Sequence, residues 1–104
     1  MSPQNECQKA AKDLFRTSFS GVIRIDVQDE DFALWVDGRQ SPPQIGETAP
    51  TKVENSLCLW HLKKQDFLQL AILGQKAVEN DFIAGRLRLS GDMSVMARLD
   101  LTND

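Results

Sequence analysis

The feature that most constrains the fold of this chain is a short, unusually apolar segment at residues 65–73. Placed on a helix at 100° per residue, its apolar side chains span an arc of roughly 200°, whereas a helix that packs on one side needs only about 100°. These side chains are Phe67, Leu68, Leu70, Ala71, Ile72 and Leu73. Gly74 follows and predicts the end of the helix. Such a helix has to be covered on two sides, by a wide thin core, by a bound apolar molecule or by a partner chain.

The segments before this helix predict another helix and a small sheet. Residues 6–19 carry apolar side chains at spacings of three and four, which is typical of an amphipathic helix. Residues 22–27 and 32–37 alternate apolar and polar side chains on either side of a polar turn, so they predict a hairpin. The proline-rich stretch that follows leaves room only for a short edge strand at residues 44–47.

The remaining segments predict a central strand, a short helix, a last strand and a closing helix. Residues 56–62 are almost continuously apolar, which favours a strand covered on both faces. Residues 76–83 predict the short helix and residues 86–89 the last strand. Residues 93–101 predict the closing helix, with Asp92 as its N-cap.

Two tryptophans and two methionines occupy predicted strands and the closing helix. Trp35 and Trp60 are expected to pack against helices. Met93 and Met96 both fall on the closing helix, where flexible, polarizable side chains suit the wall of a lipid pocket. The alternative is that these methionines fill gaps in an ordinary core.

Length and composition exclude several classes of protein. The 104 residues predict a single domain, and 41% hydrophobic with 26% charged residues is typical of a folded protein. The net charge is −3 and the basic residues are scattered, so nucleic acid is not an expected partner. No apolar run approaches the roughly 18 residues needed to cross a bilayer, and the start lacks the pattern of a secretory signal. The expectation is a cytoplasmic domain without stable membrane insertion.

The sequence offers no convincing constellation for catalysis. His61 is the single histidine, and it is interpreted as a side chain on a strand face. The acidic run at residues 29–31 lacks the spacing and the glycine of a calcium loop. Cys7 and Cys58 form no CxxC pair and are interpreted as reduced structural thiols, although a disulfide between them stays open. The chain is therefore expected not to be an enzyme, and no cofactor or metal is expected.

Three stretches in the second half carry a more specific pattern. They are L-C-L-W at residues 57–60, D-F-L-Q-L at residues 66–70 leading to Gly74, and F-I-A-G-R-L-R-L-S-G-D-M at residues 82–93. Together with W-V-D at residues 35–37, they resemble the sterol carrier protein type-2 (SCP-2) domain family. The resemblance covers about residues 15–101, and its most specific part is the segment around Gly85 and Gly91.

The resemblance implies an α+β fold with a five-stranded, mostly antiparallel sheet and helices on one face. It also implies an apolar tunnel between sheet and helices that takes sterols, fatty acids or other acyl chains. Carried over residue by residue, the lining would be Phe67, Leu68, Leu70, Ala71, Ile72, Leu73, Phe82, Ile83, Met93, Met96 and Leu99. The expected function is lipid binding or transfer. The alternative is a non-enzymatic module that uses the same groove to dimerise or to dock onto a partner enzyme.

Overall fold

The computed structural model describes residues 3–53 and 56–99. The elements in chain order are α1 (Pro3–Leu14), β1 (Val22–Val27), β2 (Phe32–Asp37), β3 (Gln44–Gly46), β4 (Leu57–Leu62), α2 (Lys64–Leu73), α3 (Gln75–Ala84), β5 (Arg88–Gly91) and α4 (Ser94–Ala97). The five strands form one sheet in the order β3-β2-β1-β4-β5. β1 and β4 are parallel and every other pair is antiparallel. The predicted fold class is confirmed.

The alternation of β1 sets the two faces of the sheet. Ile23, Ile25 and Val27 are buried on the face that the helices cover, whereas the polar residues between them point to the other face. Ile25 lies between Leu34 of β2 and Trp60 of β4, and all three side chains are fully buried. The core is therefore the layer between the sheet and the helices.

The prediction that β4 is covered on both faces is wrong. Cys58, Trp60 and Leu62 are buried, but the residues that alternate with them are only half-buried. The helices pack against a single face, so a continuous apolar run here does not mean two covering layers. On the uncovered face the Arg24 guanidinium lies 5.6 Å from the ring centroid of Trp35, a cation–π contact that shields part of the apolar surface.

The two tryptophans consequently differ in their surroundings. Trp60 is fully buried, and its ring centroid lies 5.5 Å from that of Phe15, which directly follows α1. Trp35 lies on the uncovered face, so the expectation that it packs against a helix is wrong. The direction of its side chain follows from its register, because Trp35 pairs with Arg24 rather than with an inward residue of β1.

α1 is shorter than the sequence predicts. It ends at Leu14 instead of Phe19. The Phe19 backbone N–H donates to the Gly38 carbonyl of the β2 end at 2.9 Å rather than to a carbonyl one helical turn earlier. The apolar spacing nevertheless continues into the core, since Phe15 and Phe19 are both almost fully buried. α1 packs beside α2, and a 2.9 Å ion pair joins Glu6 to Lys64.

The boundaries of the last strand and of the closing helix also differ from the predictions. β5 begins two residues later than expected because the N–H groups of Arg86 and Leu87 donate to the Asp81 carbonyl and finish the end of α3. Gly91, which lies beyond the predicted end of the last strand at residue 89, pairs with Cys58 inside the sheet. The closing helix is only the four residues of α4 in the described part of the chain, and the predicted continuation to Leu101 lies outside the described residues. α4 begins at Ser94 and its N-cap residue is Met93, so the predicted N-cap at Asp92 is wrong, although the Asp92 carboxylate accepts the Ser94 backbone N–H at 3.0 Å.

Candidate functional site

The eleven predicted lining residues fall into three groups by burial. Phe67 and Leu70 are fully buried in the core. The partly buried side chains that pack against the core are Leu68, Ala71, Met96 and Leu99. The exposed ones are Ile72 at 73%, Leu73 at 62%, Phe82 at 50%, Ile83 at 82% and Met93 at 44%. Large apolar side chains at this exposure, concentrated on the consecutive helices α2 and α3, point to a contact beyond the chain itself.

The outward side of α2 lines two neighbouring grooves. Leu68 and Ile72 line one of about 470 Å³, which lies between α2 and the acidic β1–β2 turn. Ala71 and Ile72 line a shallower one of about 740 Å³, whose opposite wall is the end of α1 with Lys12 and Arg16. Because Ile72 belongs to both, the two grooves are adjacent. The apolar side chains of α2 are thereby accessible along much of the helix.

Met96, one of the two methionines predicted to line the pocket, attaches the closing helix to the core. The indole N–H of Trp60 donates to the Met96 sulfur at 3.3 Å, and Val95 is fully buried. Arg98 fixes the end of this segment by donating to the Phe19 and Ser20 carbonyls at 3.0 and 3.1 Å. Met93 is exposed, so the structure does not bring the two methionines together on one wall.

A polar cleft of about 530 Å³ is a candidate site that the sequence reasoning missed. It lies where β1 and β4 end, α2 begins, α3 ends and β5 begins. Lys63, Arg86 and Arg88 contribute cationic groups to it, and Gln65 and Gln69 contribute amides. The available signal was the pair of arginines on either side of Leu87, but only the topology brings them to the start of α2.

The uncovered face of the sheet carries a second polar arrangement. His61 Nδ1 lies 3.1 Å from an Asp26 oxygen, and its Nε2 lies 3.4 Å from the Ser90 hydroxyl. This is the order of groups in a nucleophilic relay. Acyl transfer also needs donors directed at the developing oxyanion, yet β4 pairs on both sides, so its backbone N–H groups beside His61 bond within the sheet. The arrangement is a hydrogen-bond network on the uncovered face of the sheet.

The two cysteines are free and buried. Burial raises the pKa of each thiol, Cys7 and Cys58, to about 11, so neither is a thiolate at neutral pH. Their interpretation as reduced structural thiols fits this environment. In residues 3–53 and 56–99 no cluster of three potential metal-ligating side chains occurs. Over the same residues no helix has the length and apolar character needed to cross a membrane.

Comparison with known proteins identifies the fold and then the family. A UbiJ–SCP2 ubiquinone synthesis protein superposes with a TM-score of 0.58 at 16% identity, covering 88% of this chain and 71% of its own. Sterol carrier protein 2 from Yarrowia lipolytica, in its apo form, gives 0.57 at 13%, covering 91% and 80%. Sterol carrier protein 2 like 2 from Aedes aegypti gives 0.56 at 16%, covering 90% and 85%. At these identities the likeness establishes the fold, which is that of sterol carrier domains.

The family follows from the sequence itself. The SCP-2 sterol transfer family matches residues 4–101, nearly the whole chain. The chain therefore belongs to the SCP-2 sterol transfer family, as the motifs around residues 57–93 indicated. No curated protein sequence matches it significantly.

Proposed function

We propose that this domain binds an elongated lipid, such as a sterol or a fatty acyl chain, and carries it by sequestering its apolar surface. Family membership over residues 4–101 supports lipid binding or transfer in general. The observation that carries the proposal for this chain is the set of large apolar side chains left uncovered on α2 and α3, namely Ile72, Leu73, Phe82 and Ile83.

The physical basis is the transfer of apolar surface out of water. Each Å² of apolar surface removed from water contributes about 25 cal/mol, so an acyl chain lying along several of these side chains gains several kcal/mol before the cost of immobilising it. This mechanism needs no chemical step, and we propose that the domain is not an enzyme. The enclosed tunnel and its eleven lining residues stay predictions.

The same side chains also favour a second candidate, an assembly module in which another copy of the chain or a partner enzyme covers them. An exposed apolar patch of this kind serves a protein partner as readily as a lipid. The two functions differ in what accompanies the purified protein. Lipid carriage predicts a monomer with a co-purified lipid, whereas assembly predicts a lipid-free dimer or complex.

Native mass spectrometry of the purified protein, followed by titration with a fluorescent fatty acid, tests the proposal. We expect a monomer that carries lipid and binds the probe. Ile72→Asp places a carboxylate in the apolar contact and should weaken probe binding by more than about tenfold, because burying an unpaired charge costs several kcal/mol. Asn80→Asp, which adds the same charge at an exposed polar position of α3, is the control and should bind as the unmodified protein does.

Two results would contradict lipid carriage. One is a lipid-free dimer that Ile72→Asp converts to a folded monomer, which would favour the assembly module. The other is a monomer that neither carries lipid nor binds the probe, which would refute both functions for this surface.

A further inference from the structure

The β3 groove is an apolar depression of about 510 Å³ between the end of α1 and the edge strand β3. Its apolar side chains are those of Phe15, Pro42, Pro43 and Ile45. Phe15 and Pro43 are buried and Ile45 is half-buried, so the apolar surface forms the floor of the groove and does not project from the protein. None of these residues belongs to the predicted lipid lining, and lipid carriage leaves the groove unexplained.

The charge beside this floor is positive. Lys12 and Arg16 line the groove together with Gln44, and none of its described lining residues is acidic. Within the part of the chain that the structure describes, the Lys12 side chain takes part in no ion pair or hydrogen bond. Arg16 donates through Nε to the Asp13 carbonyl at 2.8 Å, which keeps its guanidinium at the end of α1. Asp13 itself lines the shallower groove beside Ile72 and not the β3 groove.

The edge of β3 offers main-chain groups to the same groove. The Gly38 N–H donates to the Gly21 carbonyl, so the backbone groups of Asp37 point to the other side, towards β3. Asp37 pairs with Gln44, and the backbone N–H and C=O of the next residue, Ile45, consequently point outwards from the sheet. No strand of the described residues pairs with this outer side. An open edge of this kind can accept an extended peptide as an additional strand.

We propose that the β3 groove docks an extended, acidic segment of a partner protein. The segment bonds to the Ile45 main chain, inserts an apolar side chain over Phe15, and places carboxylates at the cations of α1. Charge complementarity favours an acidic partner, since the chain as a whole has a net charge of −3 but this groove is lined only by cations among its charged residues. A flat lipid surface fits less well, because the apolar side chains lie on the floor of a concave groove.

The prolines before β3 limit how much main chain the partner can pair with. Pro42 and Pro43 have no N–H, and β3 itself is only the three residues Gln44–Gly46. The side-chain contacts should therefore determine which segments bind. This proposal goes beyond the lipid function and does not depend on it.

A set of matched synthetic peptides tests the proposal. The first has a central leucine flanked by glutamates and is titrated into the isotope-labelled protein, with binding followed by the NMR shifts of the backbone amides. We expect the largest shifts at residues 12–16 and 44–46 and none at residues 82–93. Three counterparts carry lysines in place of the glutamates, glycine in place of the leucine, or methylated backbone nitrogens. Each should bind at least about fivefold more weakly, because each removes one of the three contacts.

Two charge reversals on α1 give a matched pair of variants. Lys12→Glu reverses a charge in the groove and should weaken binding of the glutamate peptide by about fivefold. Lys9→Glu makes the same change at an exposed position outside the groove, and its affinity should stay within about twofold of the unmodified protein. Because the two variants have the same net charge, a difference between them reports the groove itself. A thermal melt checks that both variants are folded.

Four results would overturn the proposal. The glutamate peptide might cause no amide shifts at millimolar concentration, or its lysine counterpart might bind equally well. Equal losses of affinity in Lys12→Glu and Lys9→Glu would show that only the overall charge matters. Vesicles of phosphatidylglycerol that shift the same amides as the peptide would show that the groove meets a lipid surface. Fatty-acid binding is measured separately, so none of these results decides the lipid function.

Discussion

Both sides of α2 carry large apolar side chains, but only the side that faces the layer between sheet and helices is explained by the fold. On α2, Phe67 and Leu70 are fully buried, whereas Ile72 and Leu73 are mostly exposed. On β4, Trp60 points into the core, while its neighbour His61 points to the uncovered face. Side chains that face the core should therefore determine the stability of the domain, and side chains that face away from it should determine what the domain binds.

The largest difference is expected between the two sides of α2. Phe67→Ala removes a fully buried ring and should lower the free energy of unfolding by about 3–5 kcal/mol. Ile72→Ala shortens a side chain that already meets solvent, so we expect a change within about 0.5 kcal/mol. Urea denaturation followed by circular dichroism measures both. Similar losses of stability for the two variants would contradict this distinction, because they would show that the outward side of α2 also stabilises the fold.

Two glycines with nearly the same φ repeat the test at the level of the main chain. Gly85 and Gly91 have φ of +82° and +83°. A Cβ at Gly85 would meet open space, so Gly85→Ala should cost only the left-handed conformation, about 1–2 kcal/mol. A Cβ at Gly91 would lie 2.5 Å from the Leu57 carbonyl oxygen, and Gly91→Ala should cost at least ~2–3 kcal/mol. Equal melting temperatures for the two variants would show that β5 can shift without penalty.

Sequence reasoning succeeded where a local pattern determines the structure. The alternation of β1 predicted which of its side chains enter the core, and Gly74 predicted the end of α2. These features depend on the period of a strand or on a single backbone conformation. The fold class followed from the family motifs, and the match over residues 4–101 confirms them.

Sequence reasoning failed where the structure depends on contacts between segments that are distant in the chain. The apolar run of β4 did not reveal that only one of its faces is covered, because that depends on which side the helices pack. Leu87 alternates like a strand residue but is used at the end of α3. The polar cleft combines Gln28, Lys63 and Arg88, which lie in three separate stretches and meet only through the parallel pairing of β1 with β4.

A smaller effect is expected for the methionines of the closing segment. Met96 accepts the Trp60 indole N–H, so Met96→Leu keeps the volume but leaves that donor unpaired; we expect a loss of about 1 kcal/mol. Met93 is exposed, and Met93→Leu should leave the thermal melt unchanged. The fluorescence of Trp60 provides an independent reading, since only the Met96 variant should alter its emission. A change of emission in the Met93 variant alone would show that the inward and outward assignments are reversed.

The smallest expected effect lies on the uncovered face of the sheet. Ser90, His61 and Asp26 follow the order of a nucleophilic relay, so hydrolysis of an activated ester such as p-nitrophenyl acetate is the sharpest challenge to a purely binding role. We expect the unmodified protein and Ser90→Ala to hydrolyse the ester at the same rate. The reason is that the serine hydroxyl lies 3.4 Å from the imidazole and the β4 backbone beside it is bonded within the sheet, so the developing oxyanion has no donors from that strand.

His61→Gln separates the two sources of any residual rate, because a free imidazole hydrolyses this ester without a serine. A rate that His61→Gln lowers and Ser90→Ala does not is ordinary surface imidazole reactivity. A rate that both variants abolish would show that the uncovered face catalyses acyl transfer, and the outward side chains would then have a function other than binding.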